Sequence, residues 1–258
     1  MQPEIVLTFD VEEFDVPLEH GFDTDLDSQL DVSCRGLDPL LEHLESMRIP
    51  ATFFTTGCFA RERPDHLLRM AAGHEIASHG LEHGSLKAGD LECSRLLLEE
   101  LTGRPVEGFR RARMAETPHE EILRAGYLYN ASEHPVWIPG RYDNRRKPRT
   151  PYRSGELVNI PASCTPGLRL PLFWLAFRHY PKSFYRRLAL QTLRHDGHLN
   201  LYFHPWEFTE LDSRLPWIIR RGSGQRLLDR LREFLDWIGD HGRFQTMGEH
   251  VRIWRNRQ

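Results

Sequence analysis

The 258-residue chain has no run of about 18 apolar residues, so no membrane-spanning helix is legible in it. No signal peptide is expected from the first residues either. Met1-Gln2-Pro3-Glu4 leads directly into Ile5-Val6-Leu7-Thr8-Phe9, with an acid where a basic n-region belongs. The expectation is a cytoplasmic protein, with a place at the periphery of the inner membrane as its variant. Cysteine is scarce: Cys34, Cys58, Cys93 and Cys164 stand far apart with no CxxC pair. That excludes a disulfide frame and a zinc knuckle, and reads as buried thiols of a reducing compartment. Charge of one sign is not concentrated either, because 34 basic residues face 37 acidic ones for a formal charge of −3. The one dense basic stretch, Arg141 to Arg153, is interrupted by proline and aspartate, so a nucleic-acid footprint is absent. No GxGxxG follows the first apolar segment, which disfavours a dinucleotide site. With neither an internal repeat nor a low-complexity linker, residues 1–258 read as one domain.

Short β-branched or aromatic runs alternate with helical stretches. Strands are expected at Ile5–Phe9, Ala51–Thr55, Glu75–Ala77, Val106–Phe109, Tyr127–Tyr129, Leu157–Ile160, Leu199–Phe203 and near Arg243–Gln245. Between them, helical spacing predicts helices at Gly36–Met47, Pro64–Ala72, Asp90–Leu101 (which Asp90 could cap), after Pro118, at Ser183–Arg194 and at Gln225–Ile238. About eight strands alternating with helices indicate an α/β fold with a mainly parallel sheet, closed or nearly closed as a (β/α) barrel. An open doubly wound sheet is the rival. The irregular segment Glu133–Arg153 reads as a long loop on the active-site side.

Three places carry residues able to do chemistry, and each follows or ends an expected strand. In Asp10-Val11-Glu12-Glu13, Asp10 and Glu12 have strand spacing and leave one face together. Charged residues at a strand end also simply cap it in solvent, so the segment alone decides nothing. His79-Gly80-Leu81-Glu82-His83 sets two histidines four apart, which on a helical turn present both imidazoles to one side. Gly80 separates it from the HExxH protease pattern. In Leu201-Tyr202-Phe203-His204-Pro205-Trp206-Glu207 an apolar strand delivers His204 into a turn, where its near-neutral pKa suits acid–base work. Taken singly, each histidine is more often structural. Together at one barrel mouth, two histidines and a carboxylate leave open positions on a metal ion, which is the chemistry of hydrolysis.

These residues resemble the polysaccharide deacetylase family (carbohydrate esterase family 4, the chitooligosaccharide deacetylase homology domain). Thr8-Phe9-Asp10 with Glu12 resembles the first motif. Ser78-His79-Gly80-Leu81-Glu82-His83 resembles the second, Gly108-Phe109-Arg110 the third, Gly126-Tyr127-Leu128-Tyr129-Asn130-Ala131-Ser132 the fourth, and Leu201-Tyr202-Phe203-His204-Pro205 the fifth. Asp-Val-Glu-Glu-Phe and His-Pro-Trp-Glu-Phe are most similar to a branch found near exopolysaccharide gene clusters. The resemblance implies a distorted (β/α) barrel of about seven to eight strands and a divalent metal, usually zinc. Carried over position by position, it implies Glu12, His79 and His83 as metal ligands, with Glu13 as rival to Glu12. Asp10 would be the general base, Arg110 the cation that holds it, and His204 the general acid. The implied reaction is metal-dependent hydrolysis of an N-acetyl or other N-acyl amide on an amino sugar.

Two departures from that pattern bear on substrate and acid. After Arg110 come Arg111-Ala112-Arg113-Met114 instead of a proline and an aromatic. Arg111 and Arg113 read either as contacts to an anionic substrate or as a solvated loop. Asn130 stands where the family has an aspartate beside the acid histidine. It can orient an imidazole but supplies no charge, which leaves Glu207 as a substitute carboxylate. Trp206 joins the expected substrate contacts. Rival readings are a hydrolase of small cyclic amides or ureides on the same barrel, and a degenerate barrel that only binds glycan. The mixed apolar and basic segment Leu168–Leu190 would suit a membrane surface and a lipid-linked substrate. Pro171 and Pro181 interrupt it, however, which favours a hydrophobic lid or core helix.

Overall fold

The computed structural model describes residues 2–84 and 86–257. Its organising element is β1 (Glu4–Val11), buried at all eight positions. A strand reaches that state only when both of its faces are covered. Ile5, Leu7, Phe9 and Val11 face the surrounding helices within the larger apolar cluster. Val6 faces the other way, into a second cluster with Phe54, Ala77, Tyr129 and Val158. The two-residue period of a strand therefore places Glu4, Val6, Thr8 and Asp10 one above another on the inner face.

The remaining strands of the main sheet are β2 (Thr52–Thr55), β3 (Glu75–Ser78), β4 (Gly108–Phe109), β5 (Tyr129–Asn130), β8 (Tyr152–Ser154), β9 (Leu157–Asn159), β10 (His198–Phe203) and β11 (Arg243–Gln245). A separate hairpin is made by β6 (Trp137–Ile138) and β7 (Tyr142–Asp143). The sheet order is β10-β1-β2-β3-β4-β5-β9-β8, with β11 lying beside the first half of β1. Every neighbouring pair is parallel except β8–β9. The sheet ends at β8, and residues 161–163, which follow β9 in the chain, bridge the gap to β10. There Ser163 N–H donates to Asn200 O (2.9 Å), and Asn200 donates from its backbone to Ser163 Oγ (2.8 Å) and from its amide to Pro161 O (3.0 Å). The result is the expected distorted (β/α) barrel, curled but with one seam closed by a strap instead of a strand.

Register carries the inner face of β1 across to its neighbour. Glu4 lies opposite His198, Val6 opposite Asn200 and Thr8 opposite Tyr202, so the next inward pair is Asp10 and His204. The same alternation brings Glu75 and Ala77 inward on β3, with His79 next in line.

Several expected boundaries move. The helix expected from Gly36 starts at Leu26, because Asp25 accepts from Ser28 N–H (2.8 Å) and caps a polar first turn that apolar spacing misses. Gly89, not Asp90, occupies the cap of the helix Asp90–Thr102, while the Asp90 carboxylate accepts from Lys87 N–H. The expected strand Tyr127–Tyr129 begins only at Tyr129, and Tyr127 instead buries its ring and donates to Leu91 O. Of the four cysteines, Cys34 and Cys164 are buried, but Cys93 is exposed and Cys58 half-buried. In the segment Leu168–Leu190, Leu172, Phe173 and Phe177 are core residues, as the lid-or-core reading expects. No helix among the described residues is long and apolar enough to cross a membrane.

The floor of the barrel holds a buried ion pair. Glu4 accepts from His250 Nδ1 (2.6 Å), and its carboxylate also meets Gln245 and Arg257. Burial would raise the Glu4 carboxyl, but these donors bring it down to about 2 from an ordinary value of 4.5. A carboxyl depressed by folding stabilises the native state fully above its unfolded value and loses that contribution as it protonates. Glu4→Gln should therefore cost up to about 3 kcal/mol near neutrality. The difference from the parent chain should shrink as pH falls from 4.5 towards 2. Thermal unfolding at a series of pH values checks both points.

Candidate metal centre and acid–base site

The inner-face residues come together at the end of the barrel where the parallel strands finish. Glu12 follows β1, and its Oε2 lies 3.0 Å from both His79 Nε2 and His83 Nε2. All three side chains are buried, and their ligand atoms lie within 4.8 Å of one another. The two histidines do not sit on a helical turn, which corrects the sequence expectation. Gly80 adopts φ +95° and turns the chain away from a helix. His79 extends β3 while His83 returns from the loop, and the rings stack with centroids 6.0 Å apart. Gly57 N–H and Cys58 N–H anchor this loop through the carbonyls of Gly80 and Leu81 (2.9 and 2.8 Å).

Glu13 points elsewhere. It accepts from Thr56 Oγ1 (2.6 Å) and, more loosely, from His83 N–H (3.4 Å), so it braces the loop from behind. Asp15, which the sequence reading passed over, holds the outer nitrogen of His83, with Oδ2 at 3.0 Å from Nδ1. A carboxylate on the second nitrogen of an imidazole fixes its orientation and raises its basicity as a ligand. The signal available was a third acid in Asp10-Val11-Glu12-Glu13-Phe14-Asp15.

The electrostatics favour positive charge at this point. Burial pushes the Glu12 carboxyl up, but His83 and His79 more than reverse this and hold it well below the usual carboxylate range. Burial pulls His83 down, yet Glu12 and Asp15 push it up to about 10. Two imidazole nitrogens and a carboxylate oxygen, converging while buried, are a donor set that fits a divalent ion.

Beside this cluster stand two further pairs. Arg110, fully buried, donates to Asp10 Oδ1 (2.6 Å) and Thr8 Oγ1 (2.9 Å), and its guanidinium lies 4.0 Å over the Phe54 ring. Asp10 Oδ2 is left facing His204 Nε2 at 3.9 Å. His204 is set by Glu207, whose Oε1 accepts from the His204 backbone N–H (2.9 Å) and lies 3.3 Å from Nδ1. Glu207 is held in turn by Arg178 at 2.9 Å, and neither of those side chains is exposed at all. Burial lowers His204, but Glu207, Glu12 and Asp10 together raise it above its ordinary value. The turn carrying these groups rests directly on the helix Leu26–Met47. At Gly36 an added Cβ would lie 1.8 Å from Pro205 O, so only glycine allows the approach.

Asn130 does not reach His204. Its amide donates to Asn159 Oδ1 (2.9 Å), and its Oδ1 accepts from Ser132, so it is committed to the end of β5 and its neighbour β9. The carboxylate beside His204 is Glu207, three residues on in the same turn. Arg111 is also absent from the cleft: its backbone N–H donates to Ser132 Oγ and its guanidinium to Gly84 O. Arg113 does line the cleft, but its guanidinium is taken by Asp15 and Glu19 (both 2.8 Å). Arg113 therefore reaches the cleft already paired with two carboxylates. Trp206 stacks on His204 with centroids 4.7 Å apart and donates from Nε1 to Glu12 Oε1 (3.2 Å). It thus supports the site as well as lining it.

All of this opens into a cleft of about 390 Å³ whose walls include Asp10, Glu12, Tyr142, Trp174, Tyr202 and His204. That volume suits a small ligand or one ring of a larger one. The long loop Glu133–Arg153 borders the cleft through Ile138, Arg141 and Tyr142, as its expected position requires. Tyr142 Oη lies 2.9 Å from Nδ1 of the buried His134, whose Nε2 has no partner among the described residues. Burial, with Arg110 adding to it, pushes His134 down to about 3, so the ring is neutral. An unpaired buried N–H is rarer than an unpaired acceptor. The favoured tautomer therefore donates from Nδ1 to Tyr142 and leaves the tyrosine proton for the cleft.

Fold and site define an open (β/α) barrel with a cluster of two histidines and one carboxylate, flanked by Asp10 and His204. Residues 2–115 match the polysaccharide deacetylase family model. A chitooligosaccharide deacetylase of Sinorhizobium fredii (strain NBRC 101917 / NGR234) is 46% identical over 65 residues, 24% of this chain and 28% of the relative. Another from Rhizobium leguminosarum bv. trifolii is 41% identical over 70 residues, 26% of this chain and 31% of the relative. The matched stretches thus span under a third of these relatives' length. Among solved structures, a putative polysaccharide deacetylase from Mycobacterium smegmatis superposes with a TM-score of 0.70 at 23% identity, over 98% of this chain and 91% of the other. The PuuE allantoinase gives 0.68 at 19% identity, over 98% and 90%. At these identities the structures establish the shared fold.

Proposed function

We propose that this protein is a metal-dependent hydrolase that removes an N-acyl group, acetyl in the simplest case, from an amino sugar. The observation that carries the reading is the meeting of three elements in one cleft: the Glu12–His79–His83 donor set, Asp10 held by Arg110, and His204 held by Glu207. The names of the relatives support the substrate class.

Glu12, His79 and His83 would hold the ion, with zinc the first candidate for a site of two imidazoles and one carboxylate. Bound there, a divalent cation supplies a Lewis acid that polarises an acyl carbonyl and makes water more acidic. The protein's own residues do the rest. With Oδ1 occupied by Arg110, Asp10 has Oδ2 free to take a proton from the attacking water. His204, kept protonated by Glu207, delivers a proton from Nε2 to the departing nitrogen so that it leaves as an amine. Tyr142 presents its hydroxyl proton as a fixed hydrogen bond to the substrate. Trp174 and Tyr202 exclude water from the wall nearest His204.

The test joins metal content to product. Purified protein should carry about one divalent ion per chain, and a His79→Ala/His83→Ala variant should carry none. The loaded parent should release acetate from N-acetylated amino sugars. A parent that takes up no ion under any loading condition overturns the reading, and so does an ion-loaded one that splits only cyclic ureides.

A further inference from the structure

Three short elements border the active cleft: the helix Val16–Glu19, the hairpin β6–β7 and the helix Trp217–Arg220. We infer that the surface they present around its mouth is a docking site for an anionic lipid bilayer. The inference goes beyond the hydrolytic reading, and its test needs neither the ion nor turnover.

Each of these elements exposes large apolar groups beside the cleft. Trp137 keeps 54% of its surface in solvent, Trp217 56%, Ile218 52% and Leu18 48%. Their chain neighbours Glu19, Ile138 and Ile219 line the cleft, as Ile218 does itself. Single exposed apolar side chains are ordinary, but four on the elements around one opening are not a random scatter. None of the four comes from the segment Leu168–Leu190, whose Leu172, Phe173 and Phe177 are core.

Charge indicates what covers them. The chain as a whole carries −3, yet residues 137–146 hold three arginines against one acid, and residues 214–221 hold three against none. The acids nearby are already taken: Asp143 by Arg145 (2.6 Å), Asp212 by Arg214 (2.6 Å) and Glu19 by Arg113 (2.8 Å). Arg141, Arg146 and Arg221 are exposed, and none of them forms an ion pair with a carboxylate among the described residues. Cation and ring are interleaved. The Arg145 guanidinium lies 5.2 Å from the centre of a Trp137 ring, and that of Arg221 lies 4.8 Å from the centre of a Trp217 ring. Tryptophan beside arginine matches the headgroup zone of a bilayer, where the indole enters the acyl boundary and the guanidinium meets phosphate. A fluid surface conforms to groups that stand on separate elements around an opening, whereas a folded partner would have to match their relief.

Co-sedimentation of the full-length chain with vesicles tests this, using phosphatidylcholine alone and phosphatidylcholine with about 30% phosphatidylglycerol. The chain should bind the mixed vesicles at least about tenfold more strongly than the neutral ones, and added salt should erase the difference. Trp137→Ala/Trp217→Ala should weaken binding to the mixed vesicles by about tenfold or more, because the indole area that the bilayer would cover is gone. Arg146→Gln/Arg221→Gln should remove the preference for the anionic lipid. All four side chains are exposed, so the thermal unfolding of both variants should match the parent. Absence of binding to the mixed vesicles at low salt overturns the inference, as does binding that neither variant weakens. Self-association that Trp137→Ala/Trp217→Ala abolishes, without vesicle binding, would overturn it in favour of a second copy of the chain. Binding of a soluble polyuronate, again without vesicle binding, would overturn it in favour of an acidic glycan.

Discussion

Asp10→Asn should leave the ion bound and lower kcat by about 10²–10⁴-fold, the usual worth of a positioned general base. The substitution keeps the shape of the side chain, and its amide oxygen can still accept from Arg110, which donates to Oδ1 at 2.6 Å. What it removes is the ability of the second oxygen, 3.9 Å from His204 Nε2, to take a proton. Asp10 is not among the three converging ion ligands, so metal content should match the parent. Arg110 keeps a partner but loses the opposing charge, and some stability should go with it. Single-turnover rates beside metal analysis and thermal unfolding separate these effects. Retention of more than a tenth of parental kcat would remove Asp10 from the role of base, and loss of the ion would make it part of the metal centre.

The strand period is why so much of this site could be read from the chain. Asp10 and Glu12 share a face because β1 alternates. His204 comes opposite Asp10 because the parallel register of β1 and β10 pairs Glu4 with His198 and continues upward. What spacing could not supply is where a side chain turns once the strand has ended. Gly80 breaks the helical geometry that HxxxH suggests, and only the fold shows the histidines meeting from a strand end and a returning loop. Asn130 sits in the expected fourth motif, yet Asn159, from a strand 29 residues further on, takes its amide. Glu207 was visible as a candidate because it is local to His204. The cation that keeps it in place was not, since Arg178 belongs to a short helix, Trp174–His179, that folds back over the turn. Arg111 and Arg113 look equivalent in sequence, but Arg113 itself adopts φ 58°, and the two side chains reach different partners.

Arg178→Met should be among the most destabilising single changes in the chain. The Arg178–Glu207 pair is fully buried on both sides, at 2.9 Å, and removing only the cation leaves a carboxylate without water and with only His204 to offset its charge. Breaking such a pair costs about 3–5 kcal/mol. For a chain of this size that lowers Tm by roughly 6–20 °C. Adding Glu207→Gln should recover much of that loss, because a buried ion pair replaced by neutral groups of similar volume is often close to neutral in stability. Activity should not recover with it. Glu207 is the carboxylate at His204 Nδ1, and an amide there orients the ring without holding its proton. The double variant should therefore stay at least about tenfold below the parent in kcat while unfolding near the parental temperature. A double variant that regains both stability and turnover would show that Glu207 only fills space beneath the turn. One that regains stability alone separates the scaffold from the proton it positions.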